Sequence, residues 1–361
     1  MSDEAPVNVD EFEALARERL PHMVFDYYAG GAGDEWTLRE NRAAFDRWVF
    51  RPRALTDVSA VTTATTVLGQ AMPTPILVAP TAFQKLAHPD GEIAMARGAA
   101  AAGVTLVVST IATTSLEDVA ATGVPRWFQL YVQKDRPLTE EIVRRAEAAG
   151  YAAIVLTVDA PFLGRRERDE RNRFSMPPEI RMANLRNLAV PTAEEGSSLQ
   201  LQFQLIDPSL TWDDLAWLRS LTSLPVLVKG IMTAEDAARA ADIGVAGIVV
   251  SNHGGRQLDG AAATLDALPE VLDGAGGRAE VLVDGGIRRG AHVLKALALG
   301  ARATLVGRPV VWGLAVGGEN GVRDVLRMLE AELSLTMALA GAPTVAAVDR
   351  SLLARGGGLT G

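Results

Sequence analysis

The sequence predicts an α/β fold in which eight parallel strands alternate with helices and close into a barrel. The first observation is a repeat, because a short apolar stretch, a turn and an Ala-rich helical stretch recur eight times. The second is that the candidate strands are apolar throughout, which is typical of a parallel sheet covered by helices. The number of units favours a closed (β/α)8 TIM barrel, and an open doubly wound sheet stays the alternative.

The residues before the first predicted strand form an N-terminal accessory segment, residues 1–74. A helix is predicted over residues 8–20, because Phe12, Leu15 and Leu20 fall on one apolar stripe at helical spacing. A second short helix ends in the stretch DYYAGG at 26–31. We expect this helical segment to cap one mouth of the barrel.

The barrel itself is predicted over residues 75–341. Its strands are residues 76–80, 105–109, 126–131, 153–159, 226–230, 247–251, 280–284 and 303–307. The clearest helical stretches between them are residues 91–102, 138–149, 234–243 and 291–299. Together with its flanking segments the barrel makes a single domain of 361 residues.

An abnormally long connection follows the fourth predicted strand, over about residues 161–209. It has little periodicity and carries the arginines Arg165, Arg166, Arg168, Arg171 and Arg173. Because connections of this length are uncommon unless they are functional or disordered, we interpret it as a mobile lid over the site. A solvated surface loop is the alternative. Residues 342–361 form a C-terminal tail, and its Gly-rich stretch at 354–358 predicts flexibility.

The composition excludes several classes of function. A net charge of −9 argues against nucleic acids and anionic membranes as partners. The chain has no cysteine, so disulfides and thiolate chemistry are excluded, and its four histidines are too scattered to indicate a metal site. The N-terminus carries no secretory signal, and no apolar run reaches the roughly 18 residues of a membrane helix. We therefore expect a cytoplasmic protein.

Nearly every predicted strand finishes in a side chain that can donate or accept a hydrogen bond or carry a charge. A single polar residue at a strand end would be ordinary, but a whole set predicts a functional site, because the active site of a parallel barrel lies at the carboxyl ends of its strands. These residues are Thr81, Ser109, Gln129, Tyr131, Thr157, Asp159, Lys229, Ser251, His253, Asp284 and Arg308.

Glycine-bearing turns follow the last two predicted strands. Gly285 and Gly286 precede Arg288, and Gly307 precedes Arg308. Backbone N–H groups exposed at glycine, a helix N-terminus and a guanidinium together make a phosphate site. Many barrels bind phosphate at this position. The sequence therefore predicts a phosphorylated cofactor or substrate.

The stretch SNHGGRQLD at 251–259 follows an apolar strand and carries the chemistry. His253 can accept a proton, and Arg256 can hold an anion. Such a pair can bind a carboxylate and abstract a proton beside it, although the stretch on its own would also suit a solvated turn.

The neutral groups of Ser109, Gln129 and Thr157 suit the polar edge of a flavin, and Lys229 would stabilise the reduced, anionic form of that ring.

Motifs along the chain from about residue 12 to 340 resemble the FMN-dependent L-2-hydroxy acid oxidases and dehydrogenases, and glycolate oxidase most of all. These motifs are DYYA at 26–29, FRPR at 50–53, APTA at 79–82, FQLY at 128–131, LTVD at 156–159, LGRR at 163–166, LVKG at 227–230, SNHGGRQLD at 251–259, DGG at 284–286 and GRP at 307–309. Together they are highly specific for that family.

The resemblance implies a role for each of these residues. His253 would be the catalytic base, Asp159 its orienting partner, and Tyr131 a further catalytic group. The substrate would contact Tyr27, Tyr131, Arg166, Arg256 and Ile111. FMN would be held by Pro80, Thr81, Ala82, Ser109, Gln129, Thr157, Lys229, Ser251, Asp284, Gly285, Gly286, Arg288, Gly307 and Arg308.

The implied activity is that of an (S)-2-hydroxy-acid oxidase, in which a small 2-hydroxy acid becomes a 2-oxo acid and oxygen becomes hydrogen peroxide. The base could take its proton from the hydroxyl group or from the α-carbon. Ala82 is usual in the oxidases of the family, where lactate monooxygenase has glycine. The family also implies a homo-oligomer, commonly a tetramer.

One residue departs from glycolate oxidase, which has a tryptophan at the position of Ile111. The smaller isoleucine predicts a wider pocket that favours medium or long aliphatic or aromatic substrates. Two alternatives remain at this point. One is a dehydrogenase of the same family that reduces a quinone or a cytochrome, and the other is a barrel that binds a phosphorylated ligand without catalysis.

Overall fold

The computed structural model describes residues 5–185 and 204–356. Its strands are β1 (Trp48–Phe50), β2 (Thr65–Val67), β3 (Gln70–Met72), β4 (Ile76–Val78), β5 (Leu106–Ser109), β6 (Arg126–Leu130), β7 (Ile154–Thr157), β8 (Val226–Ile231), β9 (Gly247–Val250), β10 (Glu280–Asp284), β11 (Ala303–Val306) and β12 (Leu353–Arg355). Strands β4 to β11 are parallel and form a closed barrel in chain order, with β11 paired to β4. The predicted TIM barrel is confirmed.

The barrel strands are apolar on both faces because neither face meets water. Val107, Val249 and Leu282 belong to the cluster that fills the interior of the barrel. Their neighbours Val108 and Val250 point the other way and pack in the cluster shared with the helices. Side chains alternate between the two faces of a strand. Burial on both sides therefore removes the apolar–polar alternation that marks a half-exposed strand.

The helices in chain order are α1 (Val9–Arg19), α2 (His22–Ala29), α3 (Trp36–Ala43), α4 (Gly91–Ala101), α5 (Leu116–Ala120), α6 (Arg136–Ala148), α7 (Glu167–Arg171), α8 (Trp212–Leu221), α9 (Ala234–Ile243), α10 (Thr264–Ala275), α11 (Gly290–Ala298) and α12 (Arg308–Ala340). Helix α6 begins two residues earlier than predicted, because Asp135 caps it through the Leu138 N–H and a proline occupies its first turn. Helix α12 is interrupted at Gly317 and Gly318.

The N-terminal segment covers both ends of the barrel, whereas the sequence predicted a cap on one mouth. Helix α2 lies over the carboxyl ends of the strands, where Tyr27 and Tyr28 reach the cavity described below. The hairpin β2–β3 closes the opposite end, where Val67 packs into the barrel interior and the Leu68 N–H donates to the Glu280 carboxylate at 3.0 Å. The hairpin escaped prediction because its strands are only three residues long.

Residues 354 and 355 belong to strand β12, so the prediction of a flexible tail is wrong for these two residues. Strand β12 pairs antiparallel with β1, with Phe50 opposite Leu353. The guanidinium of Arg355 lies 4.3 Å from the centroid of the Trp48 ring. The partner of this strand lies some 300 residues earlier in the chain, so no local pattern reveals the pairing. Residues 357–361 lie outside the described part.

The predicted lid is described in part, over residues 161–185 and 204–209, and its remaining residues lie outside the described part. The segment begins with the short helix α7, which contacts helix α2. Phe174 stacks on Tyr27 with ring centroids 4.7 Å apart. This part of the connection therefore packs over the carboxyl end of the barrel. Among the residues that the structure describes, no helix has the length and apolar character needed to cross a membrane.

Candidate active site

A cavity of about 1080 Å³, measured with its open mouth, lies at the carboxyl ends of the barrel strands. The structure brings most of the predicted site residues to its wall, namely Tyr27, Pro80, Thr81, Ala82, Ile111, Gln129, Tyr131, Thr157, Arg166, Lys229, His253, Arg256, Asp284, Gly285, Gly286, Arg288, Gly307 and Arg308. Residues from many separate strand ends therefore converge on one space.

Three predicted residues stand behind this wall and orient the groups in front of it. Asp159 lies beside the imidazole of His253, with 2.8 Å between Oδ1 and Nδ1. The Ser251 hydroxyl accepts hydrogen bonds from the Lys229 ammonium at 2.7 Å and from the His253 backbone N–H at 3.1 Å. The Ser109 hydroxyl donates to the Gln129 side chain at 3.1 Å. The three side chains therefore support the wall, and the contacts of Ser109 and Ser251 with FMN stay predictions.

The backbone and a neighbouring carboxylate hold the His253 ring in one orientation. Its backbone lies in the left-handed region, with φ of 58°, which a non-glycine residue rarely adopts. We assign the ring proton to Nδ1, because the carboxylate of Asp159 faces that atom. The Nε2 atom then carries a lone pair, and the Tyr131 hydroxyl oxygen lies 3.5 Å from it. The proton-accepting nitrogen is thus on the side of Tyr131.

Burial sets the protonation states of this pair. Burial lowers the pKa of His253 below its ordinary 6.5, although the neighbouring Asp159 opposes the shift. Burial acts to raise the pKa of Asp159, but the charges of His253 and Lys229 outweigh it, and the net shift is downward. At neutral pH the pair is therefore a neutral imidazole beside an ionised carboxylate, which is the form that can accept a proton.

We expect kcat/KM to fall on the acid side only below pH 6.5. The role of base that the family resemblance implies requires a neutral His253, whose folded-state pKa is lowered from 6.5, so the loss of activity lies below that value. Above it this group stays neutral and contributes no further change. The measurement is the pH dependence of the anaerobic reduction of the bound cofactor by substrate. In Asp159→Asn the acid limb of kcat/KM should move to still lower pH, because Asp159 raises the pKa of His253. The maximal kcat/KM should also be lower than in the wild type. An acid limb centred above pH 6.5 contradicts this assignment.

Two guanidinium groups line the same cavity, that of the buried Arg166 and that of the partly buried Arg256. Arg166 is only 6% exposed, and burial together with the charge of Arg256 lowers its pKa to about 10. Arg256 donates to the backbone carbonyls of Tyr27 at 2.5 Å and Gly30 at 3.1 Å, and its guanidinium lies 5.0 Å from the centroid of the Tyr27 ring. Two neighbouring cations, one of them buried, repel each other, so an anion between them is favoured.

Lys229 supplies a fixed positive charge in the cavity wall. Its Nζ lies 2.7 Å from the Ser251 hydroxyl and 3.3 Å from Oδ2 of Asp284. Burial acts to lower the pKa of Lys229, but the charges of Asp284 and Asp159 outweigh it and the net shift is upward. The ammonium therefore stays charged and can stabilise negative charge that develops on a bound ring.

The predicted phosphate-binding turns line the cavity where β10 and β11 end. Gly285 and Gly286 have φ of 94° and 73°. A Cβ at Gly286 would collide with the backbone carbonyl of Asn41, so this glycine is also required by packing against helix α3. Arg308 donates to the carbonyls of Tyr28, Gly30 and Gly254, at distances between 2.8 and 3.0 Å. Its guanidinium thereby ties helix α2 to the His253 loop.

Buried polar atoms without hydrogen-bond partners show that this part of the cavity wall suits an anionic, hydrogen-bonding ligand. Among the described residues, Nε of Arg288 and Oδ1 of Asp284 are buried and have no hydrogen-bond partner. Buried polar atoms are rarely left unpaired in a protein, so a missing ligand or water is the natural explanation. A phosphate would satisfy the arginine, and a sugar-like hydroxyl would satisfy the carboxylate. The residues present therefore fit FMN.

Other residues of the site were missed by the sequence analysis. The cavity is also lined by Tyr28, Ala79, Phe83, Gly254, Ile287, Leu305, Val306, Pro309 and Val311.

Glu92 is a buried carboxylate behind the site that the sequence analysis also missed. It accepts hydrogen bonds from the backbone N–H groups of Gln84 at 3.2 Å and Thr113 at 2.8 Å. It thereby joins the loops after β4 and β5. A helical period shared with the buried Met95 and Ala99 could have shown that Glu92 faces inward.

The fold and the site together define a barrel oxidoreductase built for a phosphorylated flavin. The sequence matches the family of FMN-dependent dehydrogenases over residues 16–355, and the chain belongs to this family. Its cofactor is FMN.

Individual relatives are similar over nearly their whole length. The chain is 55% identical to an L-lactate oxidase of Nostoc sp. over 358 residues, which are 97% of this chain and 98% of the relative. It is 53% identical to the glycolate oxidase of Spinacia oleracea over 351 residues, which are 96% and 95% of the two chains. A crystal structure of mandelate oxidase superposes with a TM-score of 0.91 at 46% identity, over 97% of this chain and 98% of that chain.

Proposed function

We propose that this protein oxidises an L-2-hydroxy acid to the 2-oxo acid, that oxygen is reduced to hydrogen peroxide, and that medium or long aliphatic or aromatic substrates are preferred. The observation that carries this proposal is the imidazole of His253 facing the same cavity as two arginines, the buried Arg166 and the partly buried Arg256. A carboxylate beside a proton-accepting nitrogen is what a 2-hydroxy acid oxidase needs. The lactate, glycolate and mandelate oxidases among its relatives support the reaction class.

When bound, FMN accepts the two electrons of the oxidation and passes them to oxygen. The residues that would hold it are Lys229 and Gln129 toward the ring, Asp284 toward the ribityl chain, and Arg288 and Arg308 toward the phosphate. Each of these side chains lines the cavity. The assignment of each residue to a part of FMN follows the family resemblance, and the charge and hydrogen-bonding capacity of the side chains support it.

The side chains of the protein bind the substrate and move one proton. Arg166 and Arg256 would hold the carboxylate through charged hydrogen bonds, and Tyr131 and Tyr27 would contact the same end of the molecule. Nε2 of His253 would take a proton from the substrate, either from the hydroxyl or from the α-carbon. The negative charge of Asp159, whose Oδ1 is 2.8 Å from Nδ1, would stabilise the imidazolium that forms.

The preference for larger substrates rests on Ile111. Its side chain is 5% exposed and lines the cavity, and its backbone is held by the Ser109 hydroxyl at 3.1 Å and by the Phe83 N–H at 3.2 Å. The position of the side chain is therefore well defined. Glycolate oxidase has a tryptophan here, which would occupy more of the space next to the α-carbon of the substrate. An isoleucine leaves that space to the substrate side chain.

The test is reduction of the FMN-loaded enzyme without oxygen by glycolate, lactate, 2-hydroxyoctanoate and mandelate. We expect the yellow colour of the flavin to be lost, and kcat/KM to be highest with 2-hydroxyoctanoate and mandelate. Peroxide should form when oxygen is admitted. Ile111→Trp should lower the mandelate-to-glycolate ratio of kcat/KM by about tenfold or more, because side-chain fit is worth about 1–3 kcal/mol. A wild-type preference for glycolate would refute the substrate assignment, and no reduction by any L-2-hydroxy acid would refute the reaction.

We also propose a homotetramer, for which the support is the resemblance to the family. Oxygen as the acceptor is favoured over a quinone or cytochrome, since the relatives described above are oxidases by name. Rapid peroxide formation in the presence of substrate distinguishes the two kinds of acceptor.

A further inference from the structure

We propose that Gln257 is a positioning residue for the reaction, because its side-chain amide joins the His253 loop to the segment that carries both Asp159 and Arg166. Its Nε2 donates to the backbone carbonyls of Asp159 at 3.1 Å and Phe162 at 2.7 Å. Its Oε1 accepts from the backbone N–H of Gly164 at 3.1 Å. The inference rests on the proposed function and extends it to a residue outside the cavity wall.

The segment held by this amide connects two parts of the proposed machinery. At its beginning, Asp159 faces Nδ1 of His253. At its end, Arg166 enters the cavity, and its Nε lies 3.4 Å from the carbonyl of Arg256. Three backbone groups between these two residues are bound by a single side chain from the neighbouring loop. The position of Gln257 therefore affects the base and the carboxylate site together.

Close backbone packing shows that the segment is fitted to its surroundings. A Cβ at Gly164 would lie 2.6 Å from the Cα of Gln257, and a Cβ at Gly230 would lie 2.7 Å from the Cβ of Asp159. Glycine at these two positions thus allows the segment to pass between the end of β8 and the His253 loop. Within that gap, the amide of Gln257 determines the position of the segment along the His253 loop, because it binds two backbone acceptors and one backbone donor at once.

The expected consequence concerns the charge next to His253. The groups that face its ring are Asp159 from the end of β7, Lys229 from β8, Arg166 from the lid segment and Tyr131 from the end of β6. Asp159 raises the pKa of His253 against burial, while Lys229 and Arg166 lower it. If the amide is lost, the carboxylate moves away from Nδ1, and the pKa of His253 falls further. A residue with a merely structural role would change stability without this effect.

The variant that tests the inference is Gln257→Met, which is similar in length and cannot make the three hydrogen bonds. We expect kcat to fall by about 10- to 100-fold, since a displacement of about 1 Å at catalytic groups has effects of this size. KM should rise because Arg166 is displaced, and the acid limb of kcat/KM should move toward lower pH. Gln257→Asn, whose shorter amide cannot reach all three groups, should change these quantities in the same direction and remain well folded.

The control is Leu258→Gln, because Leu258 is the next residue of the same loop and is 73% exposed. Its kinetics and thermal unfolding should match the wild type. A second readout that needs no turnover is the NMR titration of the histidine side chains in the FMN-loaded enzyme, with the His253 signal assigned from its loss in His253→Gln. In Gln257→Met the His253 signal should titrate at lower pH than in the wild type.

The outcomes separate this inference from the proposed function. If the His253 titration and the acid limb are unchanged in both Gln257 variants, the inference is overturned, even where turnover or stability falls. If wild-type enzyme is not reduced by any 2-hydroxy acid, the proposed function fails, and the NMR titration still decides whether Gln257 positions Asp159 against His253. A downward displacement of that titration together with a raised KM supports the inference.

Discussion

Replacing His253 by glutamine is expected to slow reduction of the bound FMN by about 10³- to 10⁴-fold, the upper part of the range for a lost general base. Glutamine has a similar length and keeps hydrogen-bonding capacity, but it cannot accept a proton at neutral pH. The substitution removes the imidazole ring, and with it the 2.8 Å contact between Nδ1 and Asp159. Asp159 then has no imidazolium to stabilise. The measurement is anaerobic stopped-flow reduction with a saturating 2-hydroxy acid.

FMN binding should be unaffected in this variant, because the side chains proposed to hold the phosphate, Arg288 and Arg308, are unchanged and Arg308 contacts the backbone of the His253 loop, not its imidazole. Its visible spectrum and dissociation constant for FMN serve as the control for a correctly folded site. The φ of 58° at residue 253 is unfavourable for both histidine and glutamine, so the substitution adds little strain. Turnover near the wild-type rate would show that another group is the base.

Replacing Arg256 by methionine is expected to raise KM by about 10- to 100-fold, with a smaller change in kcat. A hydrogen bond to a charged group contributes about 1.5–3 kcal/mol, and an interaction made equally in the ground state and the transition state appears in KM. Methionine retains much of the length of the side chain, although the contacts of Arg256 with the carbonyls of Tyr27 and Gly30 are lost. Steady-state kinetics and the affinity for the 2-oxo acid product measure the effect.

A matched control for this change is Arg165→Met. Arg165 lies on the lid segment next to Arg166, but its side chain is 70% exposed and pairs with Glu170 at 3.1 Å. Exposed ion pairs contribute little, so KM should stay within about twofold of the wild type. Equal effects of the two substitutions would mean that general attraction of anions, and not a carboxylate site at Arg256, determines substrate affinity.

The eight-strand barrel could be predicted from the sequence because each strand is buried on both faces. Burial on both faces requires strands that are apolar throughout, such as Gly247–Val250. Such a stretch can be recognised in the sequence as a strand of the interior. The strand-end positions of Lys229 and His253 follow from the same pattern, since polar residues that directly follow such runs must emerge at the mouth. The predicted strands extend past the observed ends of β4 and β7, because local pattern does not show where the hydrogen-bonded ladder stops.

The parts that escaped prediction depend on contacts between distant residues. The pairing of β1 with β12 and the closure of the barrel bottom by β2–β3 join segments far apart in the chain. Gln257 appears in the sequence as one polar residue in a loop, and only its three backbone partners reveal what it does. Glu92 is similar, because a carboxylate in an Ala-rich helix has no evident role until the loops it binds are in place.

The sequence by itself determined the chemical inventory of the site and the order in which the strands present it, because residue type and apolar period are local properties of the chain. The tertiary structure decided the protonation and orientation of those groups. Burial lowers the pKa of His253, and Asp159 stands 2.8 Å from Nδ1, so folding makes its imidazole neutral and suited to the proposed role of base. Folding also buries Arg166 and brings the partly buried Arg256 beside it, which suits the proposed carboxylate site, since the strength of a charge depends on its surroundings and not on its position in the chain.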